Sequence, residues 1–327
     1  MKRLLLASVA TALFLAGCGS SDSSSDDAAD EQWSYTSGDG KTYTADEVPK
    51  RIIAQGDSAA ALMAFGIKPI AIYSDTPVEE SKSLRDLDLS GIEILGETWG
   101  QIDAEKAAGL NPDLIVATYW PLEKSYSGFE EGVEDGSKKV AKLATVVGPE
   151  QGDSVQTKLE GFEQLAQSLG ADTDDTKIAA DKQAFEAAVD RFKTTVAGKE
   201  GLTALAVSPS EDMIYVAAPA EASELNDFTN WGLDIMVPDS PDPDFAYWEN
   251  LSWENADKYQ PDFLMMDDRT ADPSKVTDAQ PTWKNIKAAE VGALVDWPAF
   301  WIHTYADYAE QLDALSDAIE KIDPDLT

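Results

Sequence analysis

Thr98-Trp-Gly-Gln-Ile-Asp-Ala-Glu-Lys-Ala-Ala-Gly-Leu-Asn-Pro-Asp-Leu-Ile-Val116 is answered 149 positions later by Tyr247-Trp-Glu-Asn-Leu-Ser-Trp-Glu-Asn-Ala-Asp-Lys-Tyr-Gln-Pro-Asp-Phe-Leu-Met265. At that constant offset Trp99 falls on Trp248, Glu105 on Glu254, Ala107 on Ala256, Pro112 on Pro261 and Asp113 on Asp262. Both copies read as an aromatic loop, an N-capping residue (Asp103 or Ser252) and a short helix with an acidic first turn. A Pro-Asp break and an apolar strand follow, because proline cannot continue a helix. The period is too long for a solenoid, so the chain reads as two lobes built on similar α/β units with a cleft between them.

Outward from these stretches, strands alternate with helices in short units, the pattern of a parallel sheet. In the first half, strands are predicted at Arg51–Gln55, Pro69–Tyr73, Ile92–Leu95 and Leu114–Thr118, with a helix from Ala59 to Phe65 capped by Asp57 or Ser58. A second helix follows Asp153 or Ser154. The longest helical pattern starts after Asp172–Asp175 and carries Ile178, Phe185, Val189, Phe192 and Val196 on one stripe to Gly198. Roughly 24 residues at ~1.5 Å each give about 36 Å, the length of one rigid strut between lobes. In the second half, strands are predicted at Leu202–Val207, Met213–Ala217, Leu233–Val237, Phe263–Met266 and Gly292–Val295, with helices at Ala222–Asn230 and Tyr305–Ile322. The fold class is therefore α/β: two lobes, each with a central mostly parallel sheet flanked by helices, joined by one long helix. The expected boundaries are 34–172 for the N-terminal lobe, 173–198 for the connecting helix and 199–327 for the C-terminal lobe.

The amino terminus carries a basic start (Lys2, Arg3) and an apolar run from Leu4 to Leu15 that is too short to span a bilayer, so residues 1–17 read as a signal peptide. Leu15-Ala16-Gly17-Cys18 resembles the lipobox of bacterial lipoproteins, and that resemblance implies acylation of Cys18, the only cysteine. Residues 18–33 form a Ser/Asp-rich tether with nothing to bury, expected to be disordered. The protein is expected to be exported and anchored to the outer face of the cytoplasmic membrane by lipid alone.

The formal net charge of −36 excludes nucleic acid and anionic membrane surfaces as partners, since both would be repelled. An anionic ligand would need a local basic clamp. Catalysis is poorly provided for: there is one histidine, His303, and neither a P-loop nor a dinucleotide fingerprint. One imidazole cannot furnish an ordinary zinc site. What stands out is aromatic placement. Trp99, Tyr119, Trp120 and Tyr126 sit at loop positions of the first lobe, and Trp248, Trp297 and Trp301 do so in the second, with Arg269 after a strand end. Ligands of open α/β sheets bind outside the carboxyl ends of strands. Flat rings there offer large contact area at low entropic cost, and one arginine can clamp an oxyanion.

In order and spacing these elements resemble the substrate-binding lipoproteins of ABC importers for iron–siderophore, haem and cobalamin uptake, whose lobes are joined by a single helix. The resemblance rests on Cys18, on Arg51-Ile52-Ile53 with Leu62 to Pro69, on Ile102 to Val116, on Tyr259-Gln260-Pro261-Asp262 and on Trp283, Ala288-Ala289 and Gly292. It implies a shallow cleft of limited closure and a monomer that docks on a permease driven by a cytoplasmic ATPase. It further implies one exposed docking glutamate per lobe, for which Glu131 and Glu224 are the nearest candidates. The ligand-binding set carried over is Trp99, Tyr119, Trp120, Tyr126, Trp248, Arg269, Trp297 and Trp301. With a single arginine among them, a neutral or cationic ferric hydroxamate is the expected ligand. Iron arrives wrapped by its chelator, so no cofactor or protein metal ligand is needed. Cobalamin, haem or another bulky cofactor, or an adhesin or sensor role on the same scaffold, are the alternatives.

Overall fold

The computed structural model describes residues 32–267, 273–299 and 303–323. The expectations placed on Cys18, on residues 19–31 of the tether, on Arg269 and on Trp301 lie outside the described residues; Trp33, expected to end the disordered tether, is instead a buried strand residue whose indole donates to Ser168 Oγ at 3.0 Å.

A hairpin opens the ordered chain. Strands β1 (Trp33–Thr36) and β2 (Thr42–Ala45) pair antiparallel, and alternation buries Trp33 and Tyr35 on one face. β3 (Ile52–Gln55) is buried throughout, as befits a central parallel strand. It runs directly into α1 (Gly56–Ala64), whose cap is Gln55 rather than the expected Asp57 or Ser58. Gln55 Oε1 accepts from the Asp57 and Ser58 amides at 2.9 and 3.2 Å. Next come β4 (Ala71–Ser74), β5 (Glu93–Glu97), α2 (Ala104–Gly109) and β6 (Leu114–Val116). A short antiparallel pair, β7 (Tyr119–Trp120) and β8 (Ser125–Tyr126), is followed by α3 (Asp135–Val140) and β9 (Thr145–Val147). The five-stranded N-terminal sheet is wholly parallel in the order β5-β4-β3-β6-β9.

Helix α4 (Val155–Ser168) is capped by Ser154, and α5 (Thr176–Ala197) by Asp175. The 22 residues of α5 span about 33 Å at ~1.5 Å each, close to the length expected of the strut.

The C-terminal half contains β10 (Thr203–Pro209), β11 (Met213–Ala217), α6 (Ser223–Asn230), β12 (Asp234–Ile235), β13 (Trp248–Ser252), β14 (Phe263–Asp267), α7 (Pro273–Thr277), α8 (Lys287–Val291), β15 (Leu294–Trp297) and α9 (Tyr305–Lys321). Its sheet runs β13-β11-β10-β14-β15 with β12 beside β10; β10, β12, β14 and β15 are parallel, while β11 is reversed and pairs antiparallel with both β10 and β13.

The repeated stretch has a structural basis in its Pro-Asp pair. Asp113 accepts from the backbone amides of Lys50 and Arg51 at 2.9 and 2.8 Å, fastening the start of β3 to the start of β6. Asp262 does the same for β10 and β14, accepting from the Thr203 amide and hydroxyl at 2.7 and 2.8 Å. The halves diverge upstream. In the first, Trp99 sits in a loop and Asp103 caps α2 through the Glu105 and Lys106 amides. In the second, Trp248 opens β13, opposite Ala217, and Ser252 makes no capping bond to the 3-10 turn at Trp253–Lys258. The second aromatic loop is thus a strand, because its backbone completes the sheet beyond β11.

One continuous apolar cluster runs through both halves, from Leu62 and Phe162 through Phe185 and Phe192 of α5 to Phe263, Tyr308 and Leu312. Helices α5 and α9 lie against each other, with Phe185 stacked on Tyr308 at 5.2 Å and Arg191 bridging to Asp313 and Asp317. The two-lobe fold is therefore joined by a shared core, and a dense interior resists bending.

Candidate ligand-binding cleft

The ends of the N-terminal strands converge on a cavity of about 170 Å³. Gln55 ends β3, Asp75 follows β4, Trp99 follows β5 and Thr118 follows β6, so the carboxyl edge of the parallel sheet forms its floor. Trp120, Ser127, Glu130 and Gln151 close the sides, and His303 enters from the chain just before α9. The volume is below the ~300 Å³ lower bound for pockets enclosing drug-sized ligands, so it is the seat of an open groove rather than a container.

Local structure fixes each wall. Gly128 adopts φ +87°, and a Cβ there would lie 2.5 Å from the Tyr73 ring, so only glycine lets the 127–130 loop lie down on β4. Tyr73 holds that loop by donating to Ser127 O at 2.8 Å. The Gly128 amide donates to Glu130 Oε2 at 2.9 Å, turning the carboxylate inward. Gln55, besides capping α1, donates from Nε2 to Asp57 Oδ2 at 3.3 Å, while Ser83 Oγ donates to Asp57 Oδ1 at 2.6 Å. His303 Nε2 lies 3.5 Å from Asp57 Oδ2. Trp120 reaches across to the C-terminal half and meets Phe245 edge-on, centroids 6.2 Å apart. From Phe245 the rings continue through Tyr247 and Trp248 to Trp297.

The electrostatics are one-sided. The cavity is lined by three carboxylates, Asp57, Asp75 and Glu130, and by no Lys or Arg among the described residues. Asp75 presents surface to solvent yet is ringed by protein that thins its hydration. That desolvation first, then Asp57 and Glu130, pushes its carboxyl from 3.8 up to about 7. Glu130 is pushed up by burial, against the pull of its backbone donors. Among the described residues no group of three or more His, Cys, Asp or Glu is arranged to hold a metal ion.

Behind the cleft, the 151–154 loop is locked to α6. Ser223 Oγ donates to Gly152 O, and Asn226 Nδ2 donates to Asp153 O at 2.6 Å. Asp227 accepts from the Val155 amide at 3.0 Å and from the Tyr308 hydroxyl at 2.8 Å, tying α4, α6 and α9 together. Lys158, buried on α4, donates to Gln151 Oε1 at 3.1 Å.

Of the residues picked from sequence, Trp99 and Trp120 line the cavity. Tyr119 and Tyr126 pack on each other beside it at 5.2 Å, with the Tyr126 hydroxyl paired to Ser37. Trp248 is half-buried between Tyr215, Tyr247 and Trp297, behind the cavity wall. Two expectations are corrected. Trp297 is completely buried, its indole Nε1 donating to Glu224 Oε1 at 3.0 Å, so it belongs to the core and not to the cleft surface. Glu224, 1 % exposed, faces Trp297 and Lys158 and cannot serve as an exposed docking acid. Glu131 is exposed, as docking requires. The reading missed Gln55, Asp57, Asp75, Thr118, Ser127, Glu130 and Gln151 as cleft residues. The strand-end rule that selected Tyr119 and Trp120 also covers Gln55, Asp75 and Thr118.

A floor at the carboxyl edge of one parallel sheet, a helical strut and a locked interlobe joint describe a binding scaffold. Residues 55–299 match the family described as periplasmic binding protein. The chain belongs to the periplasmic binding protein family. This makes it an extracytoplasmic substrate-binding protein rather than an enzyme. No curated protein matches it. Among solved structures, DesE, a ferric-siderophore receptor protein from Streptomyces coelicolor, is 32% identical with a TM-score of 0.78, over 88% of this chain and 98% of that one. FhuD2 from Staphylococcus aureus with bound ferrioxamine B shares 18% identity at TM-score 0.55, over 83% of this chain and 99% of that one. FeuA from Bacillus subtilis, a triscatecholate siderophore binding protein complexed with ferri-bacillibactin, shares 17% at TM-score 0.63, over 88% and 98%. These last two likenesses speak for the periplasmic binding protein fold alone.

Proposed function

We propose that this periplasmic binding protein captures a ferric siderophore of the hydroxamate class in the groove and delivers it to an ABC permease. The observation that carries the reading is the cavity itself: Trp99 and Trp120 beside three carboxylates and, among the described residues, no Lys or Arg. Apolar, weakly charged chelate shells suit aromatic walls, whereas polyanionic catecholate or carboxylate chelates would meet like charge. The 32% likeness to a ferric-siderophore receptor supports the same ligand class. In this reading residues 1–17 are a signal peptide, Cys18 carries the lipid and the chain from there to residue 32 is a tether that ends where Trp33 enters β1. Residues 34–172 and 199–327 are the lobes, 173–198 join them, and Glu131 is a permease-docking acid.

Tryptophan fluorescence tests it, because Trp99 and Trp120 face the site. Ferrioxamine B quenches saturably at submicromolar concentration if the reading holds, and ferric catecholates, cobalamin and haem do less. Quenching by none of the ferric chelates overturns it.

A further inference from the structure

The cavity is furnished almost wholly by one lobe: apart from His303, every described residue lining it precedes α5. A chelate seated between two lobes also needs a surface from the second. Lobe closure is a poor source of it. The 151–154 loop is locked to α6 through Ser223, Asn226 and Asp227, and the core shared across α5 and α9 resists bending. Room and contact then come from side chains.

Trp120 and Phe245 are the pair placed to provide both. Trp120 lines the cavity and ends β7, whose main chain is pinned. The Tyr119 amide donates to Pro149 O at 2.8 Å, and the Gln151 amide donates to Tyr119 O at 2.7 Å. Phe245 belongs to a loop fastened at its base. There the Asp242 amide donates to Trp248 O at 2.7 Å, and Asn250 Nδ2 donates to Asp242 Oδ2 at 2.8 Å. Both rings are only half-buried, so each can change rotamer without disturbing the backbone that carries it. Phe245 is backed by the buried Tyr247, stacked at 5.9 Å, and its contact with Trp120 is edge-on at 6.2 Å between centroids. The two rings cover on each other the apolar surface that a chelate shell would use. Separating them costs the worth of one edge-on aromatic pair, which contact with the chelate offsets.

Resting on the reading of this groove as a ferric-hydroxamate site, we propose that Phe245 is the second lobe's ligand-contacting ring and that the chelate reaches it by displacing Trp120. The ring pair thereby sets how fast a chelate enters the groove and how long it stays.

Stopped-flow tryptophan fluorescence of the full folded protein with ferrioxamine B tests this. With Phe245→Ala, association should be about two- to tenfold faster, because the edge-on contact no longer has to be broken. Dissociation should be faster by a similar factor, because the chelate loses the ring. Both rates rise while affinity hardly changes, a pattern that loss of packing alone does not produce. Phe245→Leu, which removes the ring but keeps apolar bulk, carries the test in the same direction if Phe245→Ala does not fold. In ¹⁵N spectra, the Trp120 indole N–H of the ligand-free variant should move from its position in the unaltered protein toward that of the gallium complex. An association or dissociation rate equal to the unaltered protein's, or an unmoved Trp120 resonance, overturns the inference and leaves the siderophore reading intact. Quenching of neither protein by any ferric chelate overturns both.

Discussion

The ammonium of Lys158 lies 3.1 Å from Oε1 of Gln151, linking a fully buried cation on α4 to the wall of the ligand cleft. Burial pulls the Lys158 pKa down, and Glu224, Asp57 and Asp227 push it back up, so the charge belongs to an interlobe network. Removing one member of such a network strands the others without water. Lys158→Met should therefore cost about 3–5 kcal/mol of stability, read by urea denaturation. It should also weaken chelate binding, because Gln151 loses the partner that orients it. A melting temperature equal to the unaltered protein's would refute the network.

Trp297 and Trp99 make opposite predictions. Trp297→Phe deletes the donor to Glu224 Oε1 inside the core and should cost about 1–3 kcal/mol of stability. Chelate affinity should hardly change. Trp99 is 48% exposed, so Trp99→Ala should leave the melting temperature nearly unaltered. Its chelate affinity should fall by about 1–3 kcal/mol if the indole is an anchor. Paired calorimetric and binding measurements on the two variants check both, and a swapped pattern would contradict the site.

Asp75 gives a pH signature. Its folded-state carboxyl titrates at about 7 against 3.8 when unfolded, driven by desolvation and then by Asp57 and Glu130, with Gln55 pulling the other way. Between those values the folded protein holds more protons, so this group's stabilising contribution is complete below pH ~4 and is lost as pH rises through ~7. Asp75→Asn should match the unaltered protein's melting temperature near pH 4 and exceed it at pH 8, in the absence of ligand. A difference that stays constant across this range would show that Asp75 is not perturbed.

The two-lobe α/β fold was legible because its signals are local: alternating strand and helix patterns, the apolar stripe of α5 and the repeated Pro-Asp pair. Asp113 and Asp262 recur because each ties neighbouring strands together, which a sequence offset can reveal. The site was legible only in part. Trp99 and Trp120 stood out as aromatic rings near strand ends, and the same logic misplaced Trp297. Whether an indole at a strand's end faces solvent or the interior depends on what packs over it, here Glu224 from α6. Asp75 and Glu130 vanished among 61 acidic residues, since only folding removes them from the crowd by gathering them into one cavity. Gln55 and Gln151 carry no charge signal at all, and their roles rest on contacts with Asp57 and Lys158.

The most direct test of the cleft follows the indole N–H resonances of ¹⁵N-tryptophan-labelled protein. The spectra are recorded with ferrioxamine B and with its diamagnetic gallium counterpart. High-spin iron seated on the floor should broaden the Trp99 and Trp120 signals away, where gallium only shifts them. Trp33, whose indole donates to Ser168 at the far end of α4, about 20 Å from that helix's start, should stay sharp with both. Sharp Trp99 and Trp120 signals at saturation with the iron chelate would place the ligand elsewhere and contradict the account.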